Sequence, residues 1–339
     1  MEIGYTFSDM SFEPQYSEVP SRSDVTLNTK LGKIFLQLPV ISANMGDITG
    51  KKMALEMRSN GGLGILHRFM SVEENIKEYV GAVNELGNSN QYIGVSVGVG
   101  KSGRERFDSL YHLAGARTFC IDVAHGHHVH VKDMLTYIHE GYDLKDVTLI
   151  AGNVATVRGA EDLFSWGADV VKVGVGPGAV CQTRQNTGAG VPQLYALAQI
   201  RKALPEFDLY PTIADGGIKF TSDIAKALVY ANAVMVGSFI SGTTETPGSV
   251  YENEKGEFYK VYGGSASGER KVKAGGENSF VEGMVKTVPF RGHVKYILKK
   301  IRENVQSSCS YQGAFNLDEF RVKAVLKPIT EASRVESKI

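Results

Sequence analysis

Cysteine is scarce in this chain: Cys120, Cys181 and Cys309 lie far apart, and none belongs to a C-x-x-C pair. A sparse, odd count reads as reduced thiols in a cytoplasmic protein. Charge of one sign is also lacking, with 37 Lys+Arg against 37 Asp+Glu and a pI near 7.1. Generic nucleic-acid and membrane-surface binders carry a basic excess, so no nucleic acid and no membrane is expected as partner. A locally positive pocket for an anionic substrate is compatible with neutrality. No uninterrupted apolar run approaches the roughly 18 residues of a membrane span. The opening Met1-Glu2-Ile3-Gly4 shows no basic n-region followed by an apolar h-region, so no secretory signal is expected. There is no low-complexity linker and no repeat beyond a strand-helix unit.

What is present is a series of short β-branched runs, each ending in Gly, Asn, Asp or His. They are 38–43, 63–66, 92–97, 118–123, 147–151, 169–173, 210–214 and 233–236. Runs this short, bounded by turn residues, fit strands buried on both faces. Amphipathic stretches with helical periodicity lie between most of them, at 72–86, 104–113, 160–166 and 222–230, and 294–305 follows the last. Strand alternating with helix implies parallel pairing through right-handed crossovers. Eight units predict an α/β fold, a closed (β/α)8 TIM barrel, spanning 1–339 as one domain. Strand starts are separated by 25, 29, 26, 29, 22, 41 and 23 residues. The long spacing holds a Gly-rich loop, 175–192, with Cys181. A second excess, 243–292, follows the eighth strand and reads poorly as helix or core strand. Both begin after a strand's C-terminal end, the face that carries barrel active sites.

The strand ends are polar: Asn44-Met45, His67-Arg68, Asp122, Asn153, Gly174, Asp215-Gly216-Gly217 and Gly237-Ser238. Gly174, Gly176 and Gly178 leave amides and carbonyls unshielded, so this backbone can approach an ion or anion closely. Cys181 on such a loop suits nucleophilic attack better than packing, whereas Cys120 sits in an apolar strand and Cys309 near a helix end. The loops after strands seven and eight suit a phosphate cradle, with Asp215 accepting hydrogen bonds from ribose hydroxyls. Two patterns are decoys. Gly98-Val99-Gly100-Lys101-Ser102-Gly103 matches G-x-G-x-x-G, but two strand-helix units precede it, unlike a Rossmann first strand. His125, His127, His128 and His130 crowd one loop without an acid or cysteine at ligand spacing, which reads as solvated or supporting histidines.

Several of these segments resemble one family. Ser42-Ala43-Asn44-Met45, Asp122-Val123-Ala124-His125-Gly126-His127, Ala151-Gly152-Asn153-Val154 and Gly174-x-Gly176-Pro177-Gly178-x-x-Cys181 are similar to the IMP dehydrogenase/GMP reductase family. So are Ala214-Asp215-Gly216-Gly217, Asp223-Ile224-Ala225-Lys226 and Val234-Met235-Val236-Gly237-Ser238. The match runs in order from about Ser21 to Phe320. Relatives of the dehydrogenase branch usually carry paired CBS modules after the second strand, but only 25 residues lie between His67 and Ile93. Their flap also carries an Arg-Tyr pair that activates water, and none occurs between Tyr262 and Pro289. Phe258–Gly268 instead resembles the flap start of the shorter GMP reductases, with Glu282-Gly283 matching their catalytic pair.

The resemblance implies that GMP and NADPH give IMP, ammonia and NADP+. Cys181 would attack purine C2 to form a covalent thioimidate, with Thr183 and Glu282 protonating the departing amine. Asp215 would hold the ribose, and Gly216, Gly217, Gly237 and Ser238 the 5′-phosphate. Gly263, Gly264, Ser265 and Gly283, with Glu282, would read the base. Gly176, Gly178, Cys181 and Arg184 match a potassium site built largely of carbonyls. Ser21, Arg22, Arg68, Asp122, Val123 and Ala124 match the dinucleotide site, with Tyr311 and Gly313 from a neighbouring subunit of a homotetramer. Ala179, Gln182, Gly264 and Arg68 depart from common family residues; Arg68 keeps a lysine's charge while changing its geometry. An IMP dehydrogenase lacking CBS modules is the first alternative. A flavin-dependent barrel oxidoreductase and a non-catalytic purine-nucleotide sensor are remoter ones.

Overall fold

The computed structural model describes residues 3–87, 90–263 and 284–336. Eight parallel strands close into a barrel: β1 (Val40–Ser42), β2 (Leu63–Leu66), β3 (Ile93–Val97), β4 (Thr118–Asp122), β5 (Thr148–Val154), β6 (Val170–Val173), β7 (Thr212–Asp215) and β8 (Ala233–Val236). Closure is made by β8 against β1, with Val234 opposite Val40 and Val236 opposite Ser42. These are the eight runs read from the sequence, with ends moved by at most three residues. Both faces of the sheet are covered, so every residue of β1, β2, β3, β6 and β8 is buried and the runs show no alternation.

Helices form the outer ring: α1 (Lys51–Ser59), α2 (Val72–Glu85), α3 (Gly100–His112), α4 (Val129–Gly141), α5 (Val157–Ser165), α6 (Gln193–Ala203), α7 (Thr221–Leu228) and α8 (Val294–Tyr311). Local chemistry marks their starts. Ser71 Oγ accepts from Glu74 N at 3.1 Å, and Glu74 Oε2 accepts from Ser71 N at 3.0 Å, a reciprocal cap that opens α2. The G-x-G-x-x-G decoy opens α3. A Cβ on Gly103 would lie 2.5 Å from Gly98 O, so glycine there serves close helix–strand packing.

One mouth of the barrel is closed. The hairpin Thr29–Leu31/Ile34–Leu36 buries Leu31, Ile34 and Leu36. It contacts the starting ends of β5 and β8, through Lys33 N to Thr148 Oγ1 at 3.1 Å and Asn232 Nδ2 to Lys30 O at 3.4 Å. The C-terminal face is left to the long loops.

The insertion after β8 differs from its sequence reading. Tyr251–Glu252, Phe258–Gly263 and Val285–Pro289 form a three-stranded antiparallel sheet. Lys260, Tyr262 and Val288 are buried while Val261, Val285 and Thr287 are exposed. The inward positions include a lysine, which hides the two-residue period from a count of apolar side chains. Helix α8 also runs on past Val305 to Tyr311. Among the described residues no helix is long and apolar enough to cross a membrane.

Candidate active site

The centre of the open rim is a residue that the sequence reading passed over. Lys172, in β6, is 2% exposed. Its Nζ lies 2.7 Å from Asp122 Oδ1 at the end of β4 and 2.7 Å from Asp215 Oδ2 at the end of β7. It also donates to Asn153 Oδ1 on β5. An ammonium has three donors, and three different strands take them. Asn153 Nδ2 in turn donates to Gly174 O at 2.7 Å and Asp215 Oδ2 at 2.9 Å. Burial alone would push the Lys172 ammonium down, but the two carboxylates outweigh it and hold the group above the ordinary lysine range. Burial likewise opposes ionisation of Asp122, and Lys172, assisted by Arg68 and Asn44, holds its carboxyl below the usual range. The signal was available: a single lysine in an otherwise apolar buried strand requires a partner.

The cysteine loop leaves from this centre. Gly174 has φ +150°, and a Cβ there would lie 2.0 Å from Asp215 O. Gly216 has φ +94°, with its Cβ direction 3.2 Å from Gly178 N. The loop after β6 and the turn after β7 therefore interlock through positions that accept no side chain. Gln193, at the start of α6, locks the same junction by donating to Val173 O at 2.7 Å. Cys181 is half-buried, its backbone N–H donates to Gly178 O at 3.1 Å, and its thiol donates to Thr183 Oγ1 at 3.2 Å. Cys120 and Cys309 are fully buried, and burial pushes the Cys309 thiol up to about 12. Of the three thiols, Cys181 is the accessible one. The Arg184 side chain fills the slot between Gly176 and Gly190 and donates to Val191 O, fixing the loop's far limb.

The third part of the site joins β8 to the inserted sheet. After Gly237 and Ser238 the chain turns at once, with Ile240 N donating to Gly237 O at 3.1 Å and Ser241 Oγ to Ser238 O at 2.8 Å. Tyr262, 3% exposed, brings its hydroxyl to 3.3 Å from the Cβ direction of Gly237. Gly263 N donates to Asp47 Oδ2 at 2.8 Å, tying the sheet to the loop after β1. Tyr262, which the sequence reading gave only as part of the flap start and not as a site residue, thus lies against the Gly237 turn. Gly264, Ser265, Glu282 and Gly283 lie outside the described residues.

The candidate dinucleotide residues fall into two groups. Arg68, Asp122, Val123 and Ala124 belong to the barrel rim. Arg68 Nε is buried without a hydrogen-bond partner among the described residues, and its guanidinium lies 5.2 Å from the Phe69 ring centroid. Val123 N donates to Gly152 O at 3.1 Å, and the adjacent loop is pinned by His127 Nε2 at 2.8 Å from Asp162 Oδ2. The contacts of Ser21, Arg22, Tyr311 and Gly313 run instead to the N-terminal segment and α8. Gln15 N donates to Tyr311 O at 2.9 Å, a Cβ on Gly313 would meet Tyr16 O at 2.3 Å, and Gln306 of α8 donates to Val25 O at 2.8 Å beside the Arg22–Asp24 turn.

Comparison with known proteins agrees with the barrel fold and with the family resemblance. The IMP dehydrogenase / GMP reductase domain matches residues 4–339. A GMP reductase from Streptococcus pyogenes serotype M3 is 38% identical over 320 residues, covering 94% of this chain and 93% of its own. One from Lactobacillus delbrueckii subsp. bulgaricus is 36% identical, covering 94% and 92%. An inosine-5′-monophosphate dehydrogenase from Nitrosopumilus maritimus is 31% identical, covering 98% and 97%. A solved GMP reductase variant from Trypanosoma brucei, in complex with guanosine 5′-monophosphate, superposes with a TM-score of 0.89 at 26% identity, covering 100% of this chain and 98% of that one. A family match over nearly the whole chain, on a barrel whose rim gathers these motifs, makes the protein a member of the IMP dehydrogenase/GMP reductase family.

Proposed function

We propose that the chain is a GMP reductase, converting GMP to IMP and ammonia at the expense of NADPH. The observation that carries the reading is Cys181, accessible and 3.2 Å from Thr183, on a loop interlocked with Asp215-Gly216-Gly217. The sulfur adds to purine C2 as a thiolate. The 2-amino group takes a proton and leaves as ammonia, giving a thioimidate that keeps the purine bonded to the enzyme. Splitting the substitution in two lowers each barrier. Thr183 is within reach of the sulfur, and we assign it the proton transfer together with Glu282. Two electrons and a proton at C2 then yield IMP and release the thiolate. Relatives at 36–38% identity that are GMP reductases support the reductive direction, as does the missing Arg-Tyr pair.

NADPH, when bound, supplies the electron pair. The rim fits an anionic dinucleotide, because Arg68 presents a buried Nε that nothing among the described residues satisfies. We assign Arg68, Asp122, Val123 and Ala124 to one subunit's share of that site. Ser21, Arg22, Tyr311 and Gly313, grouped on the N-terminal segment and α8, are assigned to a neighbour's share in a homotetramer. We assign a potassium ion to the carbonyls of Gly176, Gly178, Cys181 and Arg184. Gly178 O and Arg184 O each accept one backbone hydrogen bond, at 3.1 Å, leaving a lone pair for a weakly held cation. Three free thiols fit a cytoplasmic setting.

The test follows NADPH absorbance with GMP, dGMP and IMP offered separately, with an ammonia assay alongside. Oxidation of NADPH matched one to one by ammonia is expected with GMP and not with IMP, and the dGMP arm reads the choice of sugar. Steady XMP formation from IMP and NAD+ would overturn the direction. A second measurement checks the interlock. Gly174→Ala inserts a Cβ into Asp215 O, and a displaced ribose anchor should lower kcat/KM for GMP by roughly 10²-fold. Unchanged kinetics would remove the junction from the argument.

A further inference from the structure

Lys260 is a buried cation that the chemistry above leaves unused. It sits in the strand Phe258–Gly263, opposite Val288, and is 2% exposed. Among the described residues no carboxylate pairs with it in the way two pair with Lys172. Its Nζ donates instead to two backbone carbonyls, Thr246 O at 2.6 Å and Thr243 O at 3.2 Å. Burying an ammonium costs several kcal/mol unless its donors are satisfied, so a lysine held by carbonyls persists where the tether itself matters.

Both ends of the tether lead to the turn assigned to the 5′-phosphate. On one side, Thr243 and Thr246 close the chain of turns that begins at Gly237 and Ser238. Thr243 Oγ1 donates to Ile240 O at 3.0 Å and Thr246 Oγ1 to Thr243 O at 2.8 Å. On the other side, two residues beyond Lys260, Tyr262 lays its hydroxyl beside Gly237, and Gly263 is bonded to Asp47. The ammonium thus sits behind the proposed phosphate cradle. It joins the turn that forms the cradle's floor to the strand that carries its wall.

We infer that Lys260 is a positioning residue for nucleotide binding, holding the Gly237–Thr246 turns and the Phe258–Gly263 strand as one body around a 5′-phosphate. The inference deepens the GMP reductase reading and rests on it for the identity of the nucleotide. The groups that face the ammonium are Glu245 and Asp47, which favour its charge, and Lys52, which opposes it; burial is the largest influence and lowers its affinity for a proton.

The experiment compares full-length Lys260→Met, Lys260→Gln and Lys260→Arg with the wild type. Lys260→Met should raise KM for GMP about tenfold, with kcat and KM for NADPH changed less than about threefold. Lys260→Arg should recover most of the loss. Parallel changes in both KM values and kcat, tracking the melting temperature, would show a structural role only and overturn the inference. Hydrogen exchange supplies a readout independent of the substrate: amides of 237–246 should exchange faster in Lys260→Met or Lys260→Gln than in the wild type. Unchanged protection overturns the tether even if the enzyme is a GMP reductase. Wild-type protein that turns over no GMP, with faster exchange in the variants, would instead sink the functional reading and leave the tether standing.

Discussion

Replacing Cys181 by alanine should lower turnover by at least about 10⁴-fold while GMP binding stays within a few-fold of wild type. The asymmetry follows from geometry. The residues assigned to ribose and phosphate, Asp215, Gly216, Gly217, Gly237 and Ser238, take their positions from β7, β8 and the interlocked glycine turns. Cys181 contributes one thiol hydrogen bond, to Thr183, and its backbone amide bond to Gly178 survives the substitution. Binding is measured by calorimetry with GMP, and the covalent species by mass spectrometry of wild-type enzyme quenched during turnover. Equal loss of binding and turnover would make the cysteine a structural residue. Retained turnover would end the covalent reading.

Lys172→Met should be the most destabilising single change at the rim. It leaves Asp122 and Asp215 facing each other without the ammonium that now lies 2.7 Å from each. Removing one partner from a buried ionic group costs about 3–5 kcal/mol. That loss should lower the melting temperature by roughly 5 °C or more in a chain of this size. The pH dependence gives the sharper check. In the wild type, Asp122 is held below its ordinary range, so its contribution is present above that range and is lost as pH falls through the lowered value. Lys172 is held above its ordinary range, so its contribution is complete below that range and is lost only as pH rises through the raised value. Both contributions are intact near neutrality. In Lys172→Met, burial of Asp122 is opposed only by Arg68 and Asn44, and its carboxyl moves up. The sign then reverses: the variant should gain stability between pH 7 and pH 5, where the wild type does not. Equal slopes in melting temperature against pH would show that the centre carries no such linkage.

How far the site was legible depended on whether its chemistry lay in contiguous residues. Gly174 to Cys181 could be read directly, because a loop that needs positive φ and bare amides must spell glycine in order. Gly216 and Gly217, at φ +94° and +82°, were legible for the same reason. Lys172, Tyr262 and Gln193 were not. Tyr262 in a loop-like stretch and Gln193 opening a helix look ordinary within their own segments, and a lysine in an apolar strand signals that a partner exists without naming it. Their roles appear only when β4, β5 and β7, or β8 and the inserted sheet, come alongside. The insertion reads poorly as helix or core strand because its inward positions, Lys260 among them, are partly polar, and its strands form a sheet apart from the barrel.

Local chain physics was enough to establish the barrel and its eight repeats, and to single out the rim and the cysteine to which the chemistry is assigned. Strand burial, helix periodicity and glycine geometry are short-range properties, written within about a dozen residues. Which buried charge pairs with which, and what holds the phosphate turn against the inserted sheet, was decided by the folded barrel. Those contacts join residues 43 and 50 positions apart in the cases of Lys172 with Asp215 and with Asp122. A charge buried in low dielectric takes its state from whatever folding places beside it, and no window along the chain contains that neighbour.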